Sequence, residues 1–297
     1  MHQVVSGADA RLEAPSGYQG HARGFRRAEL VGPATGAVHT GLWRCELEAA
    51  GWLAMHVHSY EEAFYLLEGS ATLTVAEGVY QLAAGDYGVV PAGVSHAWSN
   101  QRPAPARWLA MLSPQPRARP RDTFFTGASP QVGSASRPDF RDPRVRWLGH
   151  FEHRELPPAG ELQMDGYRGG NVKGISLQML VDRLLGAQHL TLFMVEFQPG
   201  GEGNVHDHPF EECYFFLSGE AEAVLDGQWY TVKAGDTVWT GVGGTHGFFN
   251  RGSEPMRWIE TQAPQPPAQG AFRFAADWEH LERLTGSGVT APQGSRR

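Results

Sequence analysis

The chain has 297 residues, 41% of them hydrophobic, with 37 Gly, 20 Pro and a formal charge of −7. That length suits about two domains. An acidic balance with no long basic run argues against a nucleic-acid partner, and no stretch approaches the roughly 20 apolar residues of a membrane span. A soluble, cytoplasmic protein with neither nucleic acid nor membrane as partner is therefore expected. Only Cys45 and Cys213 are present, neither in a CxxC motif, so both read as small buried hydrophobes rather than a disulfide framework.

Residues 1–20 are polar and unpatterned and read as an N-terminal arm. From Gly24 an offset of 150 aligns the chain with itself as far as Trp108 and Trp258, with 26 identities in 85 positions. This is a tandem duplication, with one unit over 21–115 and a second over 147–264. Within each copy short apolar and aromatic runs end at glycine turns. Leu42 to Leu47 and Phe64 to Gly69 have Leu192 to Phe197 and Tyr214 to Gly219 as counterparts. Turns every eight to twelve residues between such runs predict a sandwich or small barrel. Residues 116–146, rich in Pro, Arg and Ser, read as a linker over the surface, and 265–297 as a C-terminal helix and tail. That helix is expected over 275–284, with disorder beyond 286.

The two copies share one further pattern. His56, His58, Glu62 and His96 recur as His206, His208, Glu212 and His246. On a strand, residues i and i+2 share a face, so each HxH pair points one way. Three imidazoles and a carboxylate form a donor set for a divalent transition metal, one ion per barrel. Without thiolate, the set fits Fe(II), Mn(II), Ni(II) or Zn(II) and does not choose among them. The same alternation predicts a pocket lined by Phe64, Leu66 and Trp98 in the first copy, and by Asn204, Tyr214, Phe216 and Phe248 in the second. Glu61 and Glu211 are expected to face solvent. His39 and His189 are expected to be structural, and Arg107 and Arg257 to form surface ion pairs.

These residues resemble the two motifs of the cupin superfamily, G-x5-H-x-H-x3-E-x6-G and G-x5-P-x-G-x2-H-x3-N. The second copy matches the first motif from Gly200, whereas Gly51 of the first copy is one position late. The second motif is complete in the first copy, and Gly241 replaces its proline in the second. The resemblance implies an all-β bicupin of two tandem jelly-roll-type β-barrels, with short helical or irregular segments.

Among bicupins the chain resembles quercetinase-like dioxygenases and manganese oxalate decarboxylases, and more loosely ureidoglycine aminohydrolases. The last carry a rearranged ligand set that is not found here. The resemblance implies a dioxygenase-type oxidoreductase acting on a small oxygenated or aromatic compound chelated to the metal. A metal-dependent hydrolase or decarboxylase and a non-catalytic small-ligand binder stay open as alternatives. Edge strands and aromatic content are compatible with a homodimer.

Overall fold

The structure is a computed structural model and describes residues 1–75, 78–116, 122–127, 135–159, 171–266 and 273–274. Among the described residues the regular structure is almost all strand, with a few 3-10 turns and no α-helix. Two sheets, each curled into a β-barrel, account for the two copies. No helix among the described residues is long and apolar enough to cross a membrane.

In the N-terminal sheet the strands run in the order Leu148–His150, Asp86–Val90, Glu61–Glu68, Ala106–Ser113, Gly41–His58, His96–Ser99, Ser70–Val75, Gly78–Ala83. The long strand Gly41–His58 also pairs with Ala22–Val31 and Thr123–Phe125. Its inward residues build a core of Phe25, Leu47, Phe64, Leu66, Leu73, Trp98 and Trp108. Trp98 stacks on Trp108 at 5.0 Å and meets Phe64 edge-on at 5.2 Å. Such buried aromatics each contribute roughly 1.5–3 kcal/mol of burial energy.

The C-terminal sheet repeats this order around Thr191–Asp207, with Glu211–Ser218 and Met256–Ala263 in the places of Glu61–Glu68 and Ala106–Ser113. Its core is built from Phe193, Phe197, Tyr214, Phe216, Phe248 and Trp258.

Two motif positions serve the fold rather than the chemistry. Gly69 and Gly219 end their strands at φ +73 and φ +75, and a Cβ at either would run into the backbone of Pro105 or Met256. Asn100 and Asn250 are fully buried. Asn100 donates from Nδ2 to the carbonyls of Leu47 and Ala104, and Asn250 donates likewise to Phe197 and Glu254. Each asparagine closes a loop that would otherwise leave buried carbonyls unpaired.

Three of the expected boundaries differ. Residues 1–8 belong to the C-terminal unit, where His2–Val5 pairs antiparallel with Thr237–Thr240. An edge strand shows little apolar alternation, so the segment reads as an arm. Residues 179–192 belong to the N-terminal unit. The stretch expected to be a surface linker contributes the strand Thr123–Phe125 and the buried side chain of Val145, and its Arg137 pairs with the buried carboxylate of Asp86. The helix expected over 275–284 lies outside the described residues.

Candidate metal centres

In the N-terminal barrel the end of Gly41–His58 carries both histidines of the HxH pair. His56 stands directly opposite His96 on the neighbouring strand, just after a register shift between Leu53 and His56. A bulge of this kind re-aims the side chains that follow it. Glu62 arrives from the next strand. The C-terminal barrel repeats the device, with His206 opposite His246 after a shift between Gly203 and His206.

Each histidine triad places one ring nitrogen per residue within 4.8 Å of the others, and all six rings are described. Every Nδ1 has its own partner. His56, His96, His206, His208 and His246 donate to the carbonyls of Ala54, Val94, Asn204, Phe210 and Gly244 at 2.7–3.1 Å, and His58 meets Thr123 Oγ1 at 3.1 Å. A donating Nδ1 puts the lone pair on Nε2, the tautomer that a metal requires.

The Nε2 atoms converge. His208 Nε2 and His246 Nε2 lie 2.8 and 3.0 Å from Glu212 Oε2 and 3.3 Å from each other. His58 Nε2 lies 3.1 Å from Glu62 Oε2. Two adjacent ligands at about 2.1 Å from one ion are separated by about 3.0 Å in octahedral geometry. His96 Nε2, fully buried, meets no hydrogen-bond partner among the described residues. These residues fit a divalent metal: an orphaned acceptor and donor separations of that size are what a bound ion would explain.

The electrostatics agree. Burial, reinforced by the neighbouring rings, lowers His56 and His206 well below the ordinary histidine range, and burial with His58 lowers His96 to about 4. Burial raises the two ligand carboxylates, but bonding and charge from His58 pull Glu62 below its usual value, and His208 and His246 pull Glu212 well below it. Lowered His56, His96 and His206 beside lowered Glu62 and Glu212 favour the deprotonated donors that a metal ion requires.

The surroundings of the two sites differ. The N-terminal site opens on a cavity of about 20 Å³ lined by His56, His58, Glu62, Arg27, Trp98 and Trp108 among others. The strand Thr123–Phe125 runs beside its HxH pair, with Phe125 directly opposite His56. In the C-terminal barrel Phe274 stands opposite His206.

The C-terminal cavity, about 40 Å³, is lined by His206, Glu212, Tyr214, Phe248, Trp258 and Glu260 among others. Here the ligand carboxylate is held from behind. Tyr214 OH donates to Glu212 Oε2, and Gln262 Nε2 donates to Glu212 Oε1 at 2.8 Å. Trp258 Nε1 donates to Glu260 Oε2 at 3.0 Å. Burial and the Glu212 charge push the Glu260 carboxyl well above its usual range. None of Arg27, Glu260 and Gln262 stood out in the sequence. The alternation Trp258, Glu260, Gln262 places two polar groups on the inward face of an apolar strand, and that was the available signal.

Of the pocket residues expected, Trp98, Tyr214 and Phe248 line the cavities. Phe64, Leu66 and Phe216 lie on the predicted face but are fully buried in the cores, because barrel closure stacks aromatics beneath the ligands. Asn204 is not among the lining residues, although its carbonyl fixes His206.

Glu61 and Glu211, expected to face solvent, are 1% and 3% exposed. Glu61 accepts from the backbone N–H groups of Gln188, His189 and Leu190 at 2.8–3.2 Å, so the outward face of this strand is covered by residues 179–192. His39 and His189 lie outside both triads. Arg107 pairs with Glu46 and Glu68, and Arg257 with Glu196, so the expected ion pairs form, but with the buried carboxylates of Glu46 and Glu196 rather than wholly at the surface.

A family profile for the Cupin domain matches residues 43–112 and 193–261. No curated protein matches the chain. Among solved structures, an oxalate decarboxylase from Lactobacillus farciminis in a formate complex superposes with a TM-score of 0.65 at 16% identity, over 98% of this chain and 94% of that one. Oxalate decarboxylase from Bacillus subtilis gives 0.64 at 15%, covering 94% and 81%. The protein Ylba from E. coli gives 0.61 at 15%, covering 88% and 90%. At such identities the likeness is one of fold. With a Cupin-domain match in each copy and a histidine triad in each barrel, the chain is a bicupin of the cupin superfamily.

Proposed function

We propose that this bicupin is a metal-dependent enzyme acting on a small, oxygen-chelating compound without net oxidation, as a decarboxylase or hydrolase does. The observation that carries it is the size of the space at the donors. Cavities of about 20 and 40 Å³ lie against His56, His58 and Glu62 and against His206 and Glu212. One water needs roughly 10–15 Å³ on that measure, so these spaces suit molecules of a few heavy atoms and not a fused aromatic. A bound divalent ion supplies Lewis-acid polarisation of a coordinated oxygen.

The chain's own residues do the rest. The Nδ1 bonds orient the imidazoles, and Tyr214 and Gln262 orient Glu212. Aromatic walls, including Phe248 and Trp258, exclude water from the C-terminal site. Burial beside the Glu212 charge keeps the Glu260 carboxyl protonated, which leaves a proton at the cavity wall for a carbanion or a leaving group.

The fold likeness to proteins named as oxalate decarboxylases supports this reading over the dioxygenase expected from the resemblance. The same donor set would still admit dioxygen at an open position.

Elemental analysis per chain, followed by assays of small carboxylates and amides for carbon dioxide or ammonia with an oxygen electrode in the cell, tests the reading. Product without net oxygen uptake is expected. Stoichiometric oxygen consumption with a catechol, flavonol or diketone would overturn it in favour of the dioxygenase.

A further inference from the structure

The two cavities differ by one fixed cation. Arg27, on the strand Ala22–Val31 and directly opposite Cys45, lines the N-terminal cavity together with His56, His58 and Glu62. The corresponding position of the second copy is Leu177, and no Arg or Lys among the described residues lines the C-terminal cavity.

Arg27 is half-buried and held in place. Its guanidinium carbon sits 3.6 Å from the centre of the Trp43 ring and 5.1 Å from that of Tyr18, and Nη1 donates to Tyr18 OH at 3.2 Å. No carboxylate among the described residues lies within ion-pair distance of it, in contrast to Arg26 and Arg107 nearby, which both pair with Glu46. A guanidinium carries five N–H donors in a planar fork, and one of the Arg27 side-chain donors is engaged by protein. Glu62, on the same cavity, feels the Arg27 charge without reaching ion-pair contact, so a half-buried cation on the cavity wall, stacked on an indole, keeps donors for an anion from outside.

We infer that Arg27 makes the N-terminal cavity a subsite for a small carboxylate of one or two carbons, and that the C-terminal cavity does not share this preference. The inference rests on the metal-site reading and adds charge selectivity to it. The metal with Glu62 leaves a net positive centre, and Arg27 adds a second positive group, so a carboxylate satisfies both. In the C-terminal cavity the place of Ala110 is taken by Glu260 and that of Arg27 by Leu177, so its wall offers an anion no fixed positive charge among the described residues. The volume of about 20 Å³ sets the length of the ligand.

Calorimetric titration of the metal-loaded full chain carrying His208→Ala, with acetate and with its neutral analogue acetamide, is the test. Acetate should bind at least about tenfold more tightly, as expected for charge-assisted bonds. Arg27→Leu should remove that preference while metal content per chain stays unchanged, and Arg27→Lys should restore part of it. Equal affinities for acetate and acetamide would overturn the inference even if Arg27→Leu does not fold. So would an Arg27→Leu chain that folds and keeps the preference. A chain that purifies without metal and cannot be loaded would instead sink the metal reading. Acetate and acetamide titrated into that metal-free chain would then decide the role of Arg27 by the same comparison.

Discussion

Gln262 donates from Nε2 to Oε1 of Glu212 at 2.8 Å, and the matching pair in the first copy, Leu112 and Glu62, makes no such bond. Tyr214, which also donates to Glu212, corresponds to Phe64. The C-terminal ligand carboxylate is thus braced by two polar side chains, whereas Glu62 is bonded to His58. A braced ligand loses less freedom on binding an ion, so the two centres should hold metal with unequal strength.

Gln262→Leu and Tyr214→Phe should each weaken the C-terminal site about tenfold to a hundredfold and leave the N-terminal site unchanged. Competition with a chromogenic chelator, read as two separate release steps, checks this. If both steps move together, the bracing is not what separates the sites.

His58→Ala and His208→Ala, made separately, should each remove one ion of two. Elemental analysis per chain measures it directly. Activity lost in one variant and kept in the other would identify the working barrel.

Acidity should weaken the metal-free protein across a defined window. His96 is held to about 4 when folded, mainly by burial, against an ordinary value near 6.5. Between those values the unfolded chain binds a proton that the folded chain refuses, so stability falls as pH drops from about 6.5 to about 4. The loss from this one group is up to about 3 kcal/mol. Urea melts of the chelator-treated chain at pH 7, 5.5 and 4.5 should show midpoints falling in that order, and bound metal should blunt the fall at pH 5.5.

Glu61→Ala should destabilise the N-terminal unit by at least about 2 kcal/mol, since three backbone N–H groups lose their acceptor. Thermal melts with and without metal read the effect. Glu61→Gln should recover part of it, because the amide oxygen still accepts.

The repeat, the all-β class and the eight metal donors were legible in the chain itself, because each depends on local spacing. Alternation along a strand puts His56 and His58 on one face whatever surrounds them, and the offset of 150 repeats the set. The depth of a side chain in the barrel was not legible. Phe64 and Trp98 share the predicted orientation and both pack in the core, yet of the two it is Trp98 that also lines the cavity. Nor could spacing say that Glu61 would be covered, because its partners lie 127 to 129 residues away.

What the sequence by itself determined is which atoms can grip an ion and that there are two such sets, since covalent order and strand alternation suffice for that. Only the tertiary structure decided what stands behind and beside each set. Arg27, Thr123 and Phe125 reach the first site, and Tyr214, Glu260 and Gln262 the second, on strands brought together by cross-barrel hydrogen bonding. Contacts of that kind depend on register between distant segments, which no local pattern encodes.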